Sequence, residues 1–255
     1  MNKIEKKEKI LIMPDIHGRT FWKDAFELHP GLDTIFLGDY VDPYDGREQE
    51  ALDNFKEIIE YARKNNWNLL LGNHDLHYFL DIRGCRKDKE REKEIRQLFL
   101  DNLDLFNLAA VRKIEGKYYM FTHAPVFKGW VDEFELPLHP VYLADKLNNM
   151  LHDLENNKET LECILDRVSR YRGGRDNWAS MIWADVDELR FKEAEILPDI
   201  DYSIFGHTQE PVKGIQPTYA CIDNHHAYVL MNDGELVPEF AGKPKPWWEA
   251  ISDFD

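Results

Sequence analysis

Apolar residues in this chain come as short runs that stop at glycine, proline or a polar cluster, separated by stretches with three- and four-residue spacing. Lys9-Ile10-Leu11-Ile12-Met13 stops at Pro14, and Thr34-Ile35-Phe36-Leu37 stops at Gly38. Both runs predict buried strands, because a strand covered on both faces is apolar throughout. A helix is predicted from about Glu48 to Asn65, where Ala51, Leu52, Phe55, Ile58, Ile59 and Ala62 mark a single face. Residues 67–71 read as a third strand. From Arg86 to about Ala110 the chain is charged at first and then apolar at Ile95, Leu98, Phe99, Leu103 and Phe106. The mixed-sign run 86–94 reads as solvated helix surface.

Residues 111–115 and 118–121 flank Gly116-Lys117, a two-residue hairpin signal. Two helices are expected in 136–174, with apolar positions Leu143, Leu147, Leu151 and Leu154, then Leu161, Ile164, Leu165 and Val168. Segments 202–205, 219–222 and 227–231 read as strands, and Asp233-Gly234 turns the chain into a last one at 235–240. Strand and helix alternate in the first half, whereas the second half ends in what read as antiparallel hairpins. That order predicts a mixed α/β fold with two mixed sheets and helices outside them. Without a linker rich in glycine, serine or proline, the 255 residues read as a single domain, 1–255, with a helical insertion around 136–180.

Composition narrows the partners. Asp plus Glu number 48 against 32 Lys plus Arg, a formal net charge of -16, which disfavours bulk nucleic acid. Cys85, Cys163 and Cys221 are odd in number and widely spaced, so neither a disulfide framework nor a cysteine zinc site is indicated. The first nine residues carry charges of both signs and lack the apolar core of a signal peptide. With no run long enough to cross a bilayer, a cytoplasmic protein without a membrane partner is expected.

The chemistry gathers where strands end. Asp15 and His17 follow the first strand, Asp39 and Asp42 the second, and Asn73 and His74 the third. His123 and His207 close two later strands. In open α/β sheets, ligands sit outside the carboxyl ends of the strands, so these clusters should converge. Carboxylates, imidazoles and an amide oxygen, with no thiolate, suit manganese, iron or zinc. Two ions about 3.5–4 Å apart would need a shared carboxylate, and Asp39 is the candidate bridge.

Asp15-Ile16-His17-Gly18, Gly38-Asp39-Tyr40-Val41-Asp42, Gly72-Asn73-His74-Asp75, Thr122-His123 and Gly206-His207-Thr208 resemble, in order, the motifs of the calcineurin-like metallophosphoesterase superfamily. The Gly-Asp-Tyr-Val-Asp spelling and Trp183-Ala184-Asp185 are most similar to the branch holding Ser/Thr phosphoprotein phosphatases and bacterial diadenosine tetraphosphatases. The resemblance implies a four-layer αββα sandwich with two divalent metals at one end. It puts Asp15 and His17 on the first metal, Asp39 between the two, and Asn73, His123 and His207 on the second. It further implies attack on a phosphate ester or phosphoanhydride by a bridging hydroxide, with His74 as general acid. Asp42 would orient His74, and Asp75 is the rival for that role.

Departures from that pattern bear on substrate. Phosphoprotein phosphatases carry arginines where this chain has Pro43 and Leu71. Arg172 and Arg175 are candidate replacements as substrate-binding residues, with Arg19 a third, because guanidinium binds phosphate oxygens bidentately. Gln209 stands where many superfamily members have a second histidine. Trp247-Trp248 reads as packing on the domain, and His225-His226 as a turn near the site rather than as ligands. A phosphorylated small molecule, a nucleotide and a phosphoprotein remain open as substrates. The alternatives are a nuclease or cyclic-nucleotide phosphodiesterase, or a non-catalytic scaffold.

Overall fold

The computed structural model describes residues 8–84, 86–191, 196–209 and 215–239. The first seven residues, Cys85, Phe240 and Trp247-Trp248 lie outside them. Four strands, β1 (Glu8–Met13), β2 (Asp33–Phe36), β3 (Asn68–Leu70) and β4 (Phe106–Asn107), run parallel. Between them come helices α1 (Phe21–Leu28), α2 (Glu48–Asn65), α3 (Asn73–Leu76) and α4 (Glu92–Asp101). The second sheet is built from β5 (Ala109–Ile114), β6 (Lys117–Thr122), β7 (Tyr202–Gln209) and β8 (Tyr219–Asp223), in that order. Helices α5 (Lys128–Glu133), α6 (Pro140–His152), α7 (Leu154–Leu165) and α8 (Val186–Phe191) lie between β6 and β7 in the chain. Finally β9 (Ala227–Met231) and β10 (Leu236–Glu239) return to the first sheet, giving the order β10-β9-β1-β2-β3-β4.

Alternation within each strand sets the layers. Ile10 and Ile12 of β1, Ile35 of β2, and Leu70 of β3 meet Phe121 of β6, Ile204 of β7 and Ile222 of β8, so these residues form the layer between the sheets. Leu11, Met13, Phe36 and Leu69 point the other way and pack with Leu52, Phe55 and Ile58 of α2. On the outer side of the second sheet, Val186 of α8 packs with Phe205 and Cys221. Both sheets mix parallel and antiparallel pairs, and helices cover them, as expected.

Three elements differ from expectation. The run 86–94 is helical only from Glu92: α4 ends at Asp101, a single 3-10 turn spans Leu103–Leu105, and β4 follows. Two residues are too few to display a strand's alternation, and Phe106 is buried by pairing opposite Leu69. The segments at 219–222 and 227–231 do not form a hairpin. β8 pairs parallel to β7, and β9 crosses to the first sheet. Tyr228 and Leu230 of β9 then face the inter-sheet layer, while Ala227 and Val229 face the helices. Strand β7 runs on to Gln209, with a register shift between Phe205 and Gln209, so His207 sits within a distorted strand rather than after it. Among the described residues, no helix is long and apolar enough to cross a membrane.

Candidate metal centre

The first two strand-end loops are stitched together by backbone. The amides of Ile16 and His17 donate to the carbonyl of Asp39 at 3.1 and 2.6 Å, and the Gly18 amide donates to Tyr40 at 3.1 Å. Such close turning forces left-handed backbone on His17 (φ 44°), Asp39 (φ 53°) and Asp42 (φ 57°), and His207 (φ 67°) shares it. Non-glycine residues held in this region cost roughly 1–3 kcal/mol each and concentrate at functional sites. The third loop is drawn in by Asp75. Its carboxylate accepts the amides of Asp39 (2.7 Å), Tyr40 (2.9 Å) and Gly72 (2.8 Å). Asp75 is therefore a clasp between loops, while Asp42 Oδ2 lies 2.9 Å from His74 Nδ1.

Around Asp39 the donors converge. Its Oδ1 accepts the His74 amide at 3.0 Å, while Oδ2 lies 3.4 Å from His17 Nε2 and 3.5 Å from His123 Nε2. One carboxylate oxygen thus stands between two imidazoles from different sheets' loops. His17 Nδ1 faces only the carbonyls of Val41 and Asp42, each at 3.1 Å, and His123 Nδ1 faces the carbonyl of Leu37 at 2.9 Å. These carbonyl partners call for a proton on Nδ1 in both rings and leave Nε2 as the nitrogen that faces Asp39. Asn73 Oδ1 and His207 Nδ1 come within 3.0 and 3.1 Å of that same His123 nitrogen. Asp15 accepts the His207 amide with both oxygens at 3.1 Å. A methyl group at Gly206 would lie 2.0 Å from Asp15 Oδ1.

The electrostatics point to a cation. Lone pairs of His123, Asn73 and Asp39 confront one another without a proton to share, an arrangement that a positive ion between them relieves. His207 Nε2 is buried with no hydrogen-bond partner. Burial pushes the His123 and His207 imidazoles below their ordinary value, the latter also through the Arg172 charge, so both favour the neutral form that binds metal. Burial, followed by the charges of Asp223 and Asp39, pushes the Asp15 carboxyl well up. His17, Asp39 and His74 form one cluster with ligand atoms within 4.8 Å of one another, and Asp39, His123 and His207 form another. Asp39 belongs to both, so the residues present fit a pair of divalent ions.

A third cluster, Asp42, His74 and His77, lies beside these. Tyr78 donates its hydroxyl to Asp42 Oδ1, and His77 Nε2 lies 3.1 Å from Asp42 Oδ2, although neither His77 nitrogen aligns for a hydrogen bond. Burial pushes the Asp42 carboxyl up, but the contacts with His74, His77 and Tyr78 outweigh it and hold the group below its ordinary range.

Among the arginines expected to bind substrate, Arg172 reaches the centre and Arg175 does not. Arg172 donates to the His207 carbonyl (3.2 Å) and Thr208 Oγ1 (2.7 Å), and its Nε lies 2.6 Å from Asp185 Oδ2. Arg175 is exposed and has no hydrogen bond or ion pair with a described residue. Arg19 lies within electrostatic reach of Asp223 and Asp15.

Three neighbours of the centre are not among the residues expected from the sequence. Asp223, at the end of β8, is buried, its Oδ1 has no hydrogen-bond partner, and burial pushes it up to about 6. The strand-end signal marked it as it marked Asp15. His77 follows His74 by three residues, one helical turn, which was its only cue. Arg86 was absorbed into the charged run 86–94, yet α4 begins only at Glu92 and Arg86 folds back over Asp42.

A sequence model described as calcineurin-like phosphoesterase matches residues 8–211. Among curated proteins, the symmetrical bis(5'-nucleosyl)-tetraphosphatase of Paracidovorax citrulli (strain AAC00-1) is 27% identical over 194 residues, covering 71% of this chain. The chain spans 64% of the length of that relative, slightly less than two thirds. Among solved structures, a metallophosphoesterase from Sphaerobacter thermophilus aligns over 91% of this chain and 87% of its own, with 13% identity and a TM-score of 0.44.

Proposed function

The chain belongs to the calcineurin-like phosphoesterase family, and from that premise we propose that it is a metal-dependent hydrolase of phosphate esters or phosphoanhydrides. Asp15, His17, Asp39, Asn73, His123 and His207 would hold two divalent ions, with manganese, iron and zinc all compatible with the donor set. The observation that carries this reading is the position of Asp39 Oδ2 between His17 Nε2 and His123 Nε2, at 3.4 and 3.5 Å. When bound, such ions supply an activated water and neutralise charge on the phosphoryl oxygens.

The remaining chemistry belongs to the chain itself. His74, its Nδ1 directed at Asp42, presents its imidazole beside His17, with ring centroids 5.0 Å apart. That position suits delivery of a proton to the leaving oxygen, and the Asp42 carboxylate holds the imidazole in place for it. Arg172, tied to Thr208 and Asp185, is suited to steady phosphoryl oxygens beside His207. The name of the Paracidovorax relative supports a dinucleoside polyphosphate as substrate over a phosphoprotein. A net charge of -16 weighs against a nuclease.

Hydrolysis of p-nitrophenyl phosphate with added manganese, with metal content measured on the same preparation, tests the reading. The parent should turn over and carry close to two ions per chain, and Asp39→Asn should lose both properties. Equal rates for parent and variant would sink the proposal.

A further inference from the structure

Beside the Asp42 loop lies a second guanidinium, whose surroundings differ in kind from those of Arg172. Arg86 donates from Nη2 to the Asp42 carbonyl at 3.1 Å, and its Cζ lies 3.4 Å from the centroid of the Tyr44 ring. The Tyr44 ring in turn meets His17 edge-on, with centroids 4.8 Å apart and planes at 76°. Arg86 therefore sits one aromatic ring beyond an imidazole of the metal centre. Tyr44 keeps 47% of its surface exposed.

Its placement is built rather than incidental. The Arg86 backbone is left-handed, at φ 45°. Two residues on, the Asp88 amide donates to the Tyr78 hydroxyl at 2.9 Å, and that hydroxyl donates to Asp42 Oδ1. The turn is thus tied to the same carboxylate that orients His74. Stacking on an aromatic face fixes the plane of a guanidinium and leaves its edge for ligands.

Charge distinguishes it further. Arg172 lies against the Asp185 carboxylate, and Arg19 faces Asp15 and Asp223. Among the described residues Arg86 has no ion pair, its partners being a carbonyl and a ring. In a chain with a net charge of -16, a preorganised and unneutralised guanidinium at the rim of a phosphoryl-binding centre calls for an anion.

We propose that Arg86, stacked on Tyr44, binds the phosphate adjacent to the one under attack, which makes the preferred substrate a phosphoanhydride such as a dinucleoside polyphosphate. The inference rests on the phosphoesterase reading above. In the reaction, the oxygen of water bonds to the attacked phosphorus and the bond from that phosphorus to the bridging oxygen breaks. The bridging oxygen leaves on the adjacent phosphate, taking a proton from His74, while the water's proton passes to solvent. Arg86 would hold that adjacent phosphate in the bound substrate and as it departs.

The experiment compares kcat and KM for diadenosine tetraphosphate and p-nitrophenyl phosphate in the parent, Arg86→Ala and Arg86→Lys, all loaded with manganese. A hydrogen bond to a charged group contributes about 1.5–3 kcal/mol, so Arg86→Ala should lower kcat/KM for the anhydride about 10- to 100-fold, chiefly through KM. The fall should exceed that on the aryl ester by about tenfold, because the ester has no second phosphate. Arg86→Lys should fall between, keeping the charge but losing the fork and the stack. Calorimetric titration of imidodiphosphate should show the same order of affinities. Equal losses on both substrates, or no loss on either, would overturn the assignment. A parent inactive on every phosphate compound would instead overturn the phosphoesterase reading itself.

Discussion

Asp42 Oδ2 lies 2.9 Å from His74 Nδ1, a contact between loops whose partners are 32 residues apart in the chain. The carboxylate is fully buried and also meets His77 Nε2 and the Tyr78 hydroxyl, so its geometry is held from three sides. An imidazole paired in this way is fixed in orientation.

Asp42→Asn should consequently lower kcat while leaving KM little changed. General acid catalysis contributes about 10²–10⁴-fold, and losing the orienting charge rather than the acid should cost about 10- to 100-fold. The loss should be largest on an alkyl phosphate and smaller on p-nitrophenyl phosphate, whose leaving group needs less help from a proton. A loss independent of the leaving group would argue that Asp42 serves the fold instead.

Asp75 should behave in the opposite manner. Its carboxylate accepts three buried backbone amides, those of Asp39, Tyr40 and Gly72. Asp75→Ala leaves these donors without acceptors, and each unsatisfied buried group costs about 1–3 kcal/mol. A total destabilisation of roughly 3–9 kcal/mol follows, or on the order of 10 °C or more in Tm for a chain of this size. Thermal melting monitored by circular dichroism would reveal it, and an unchanged Tm would refute the clasp.

Gly72 carries a sharper steric prediction. A Cβ built on it would stand 2.1 Å from Asp39 Oδ1 and 2.6 Å from His123 Cε1. Both atoms belong to residues proposed to hold metal, and neither can retreat without leaving its place. Gly72→Ala should therefore reduce manganese affinity by at least about tenfold in isothermal calorimetry, a loss of about 1.4 kcal/mol. Parent-like binding of two ions would show that the loop yields more readily than its packing implies.

What the sequence disclosed follows from what leaves a local mark. A strand that ends in a polar cluster is visible from its own residues, and five such clusters placed Asp15, Asp39, Asn73, His123 and His207 together in expectation and in the structure. The roles of Asp42 and Asp75 are not local. Both are carboxylates near His74 in the motifs, and only the path of the Gly38–Asp42 loop decides which meets the imidazole and which meets amides. Arg86 was hidden for a related reason: its charge matches the run 86–94, and only the left-handed turn before α4 brings it onto Tyr44. Strand β4 escaped because two residues carry no period. Asp223 bears the same strand-end mark as the others, but two histidines follow it at once and one carboxylate before them is ambiguous without the fold.

Removal of metal gives the most general test of the centre. Without a cation, the Asp15 and Asp39 carboxylates share a buried space with Asp223, and the lone pairs of His123 and Asn73 face Asp39 unrelieved. Bound ions would replace these repulsions with attraction, and a ligand that binds only the folded state stabilises it by about 2.7 kcal/mol at a hundredfold excess over its Kd. Two such ions imply about 5 kcal/mol, hence a rise in Tm on the order of 10–20 °C on adding manganese to chelator-treated protein. Asp39→Asn, which removes the shared ligand, should abolish most of that rise. The same Tm with and without manganese in the parent would mean that the converging donors hold no ion, and the two-metal reading would fall with it.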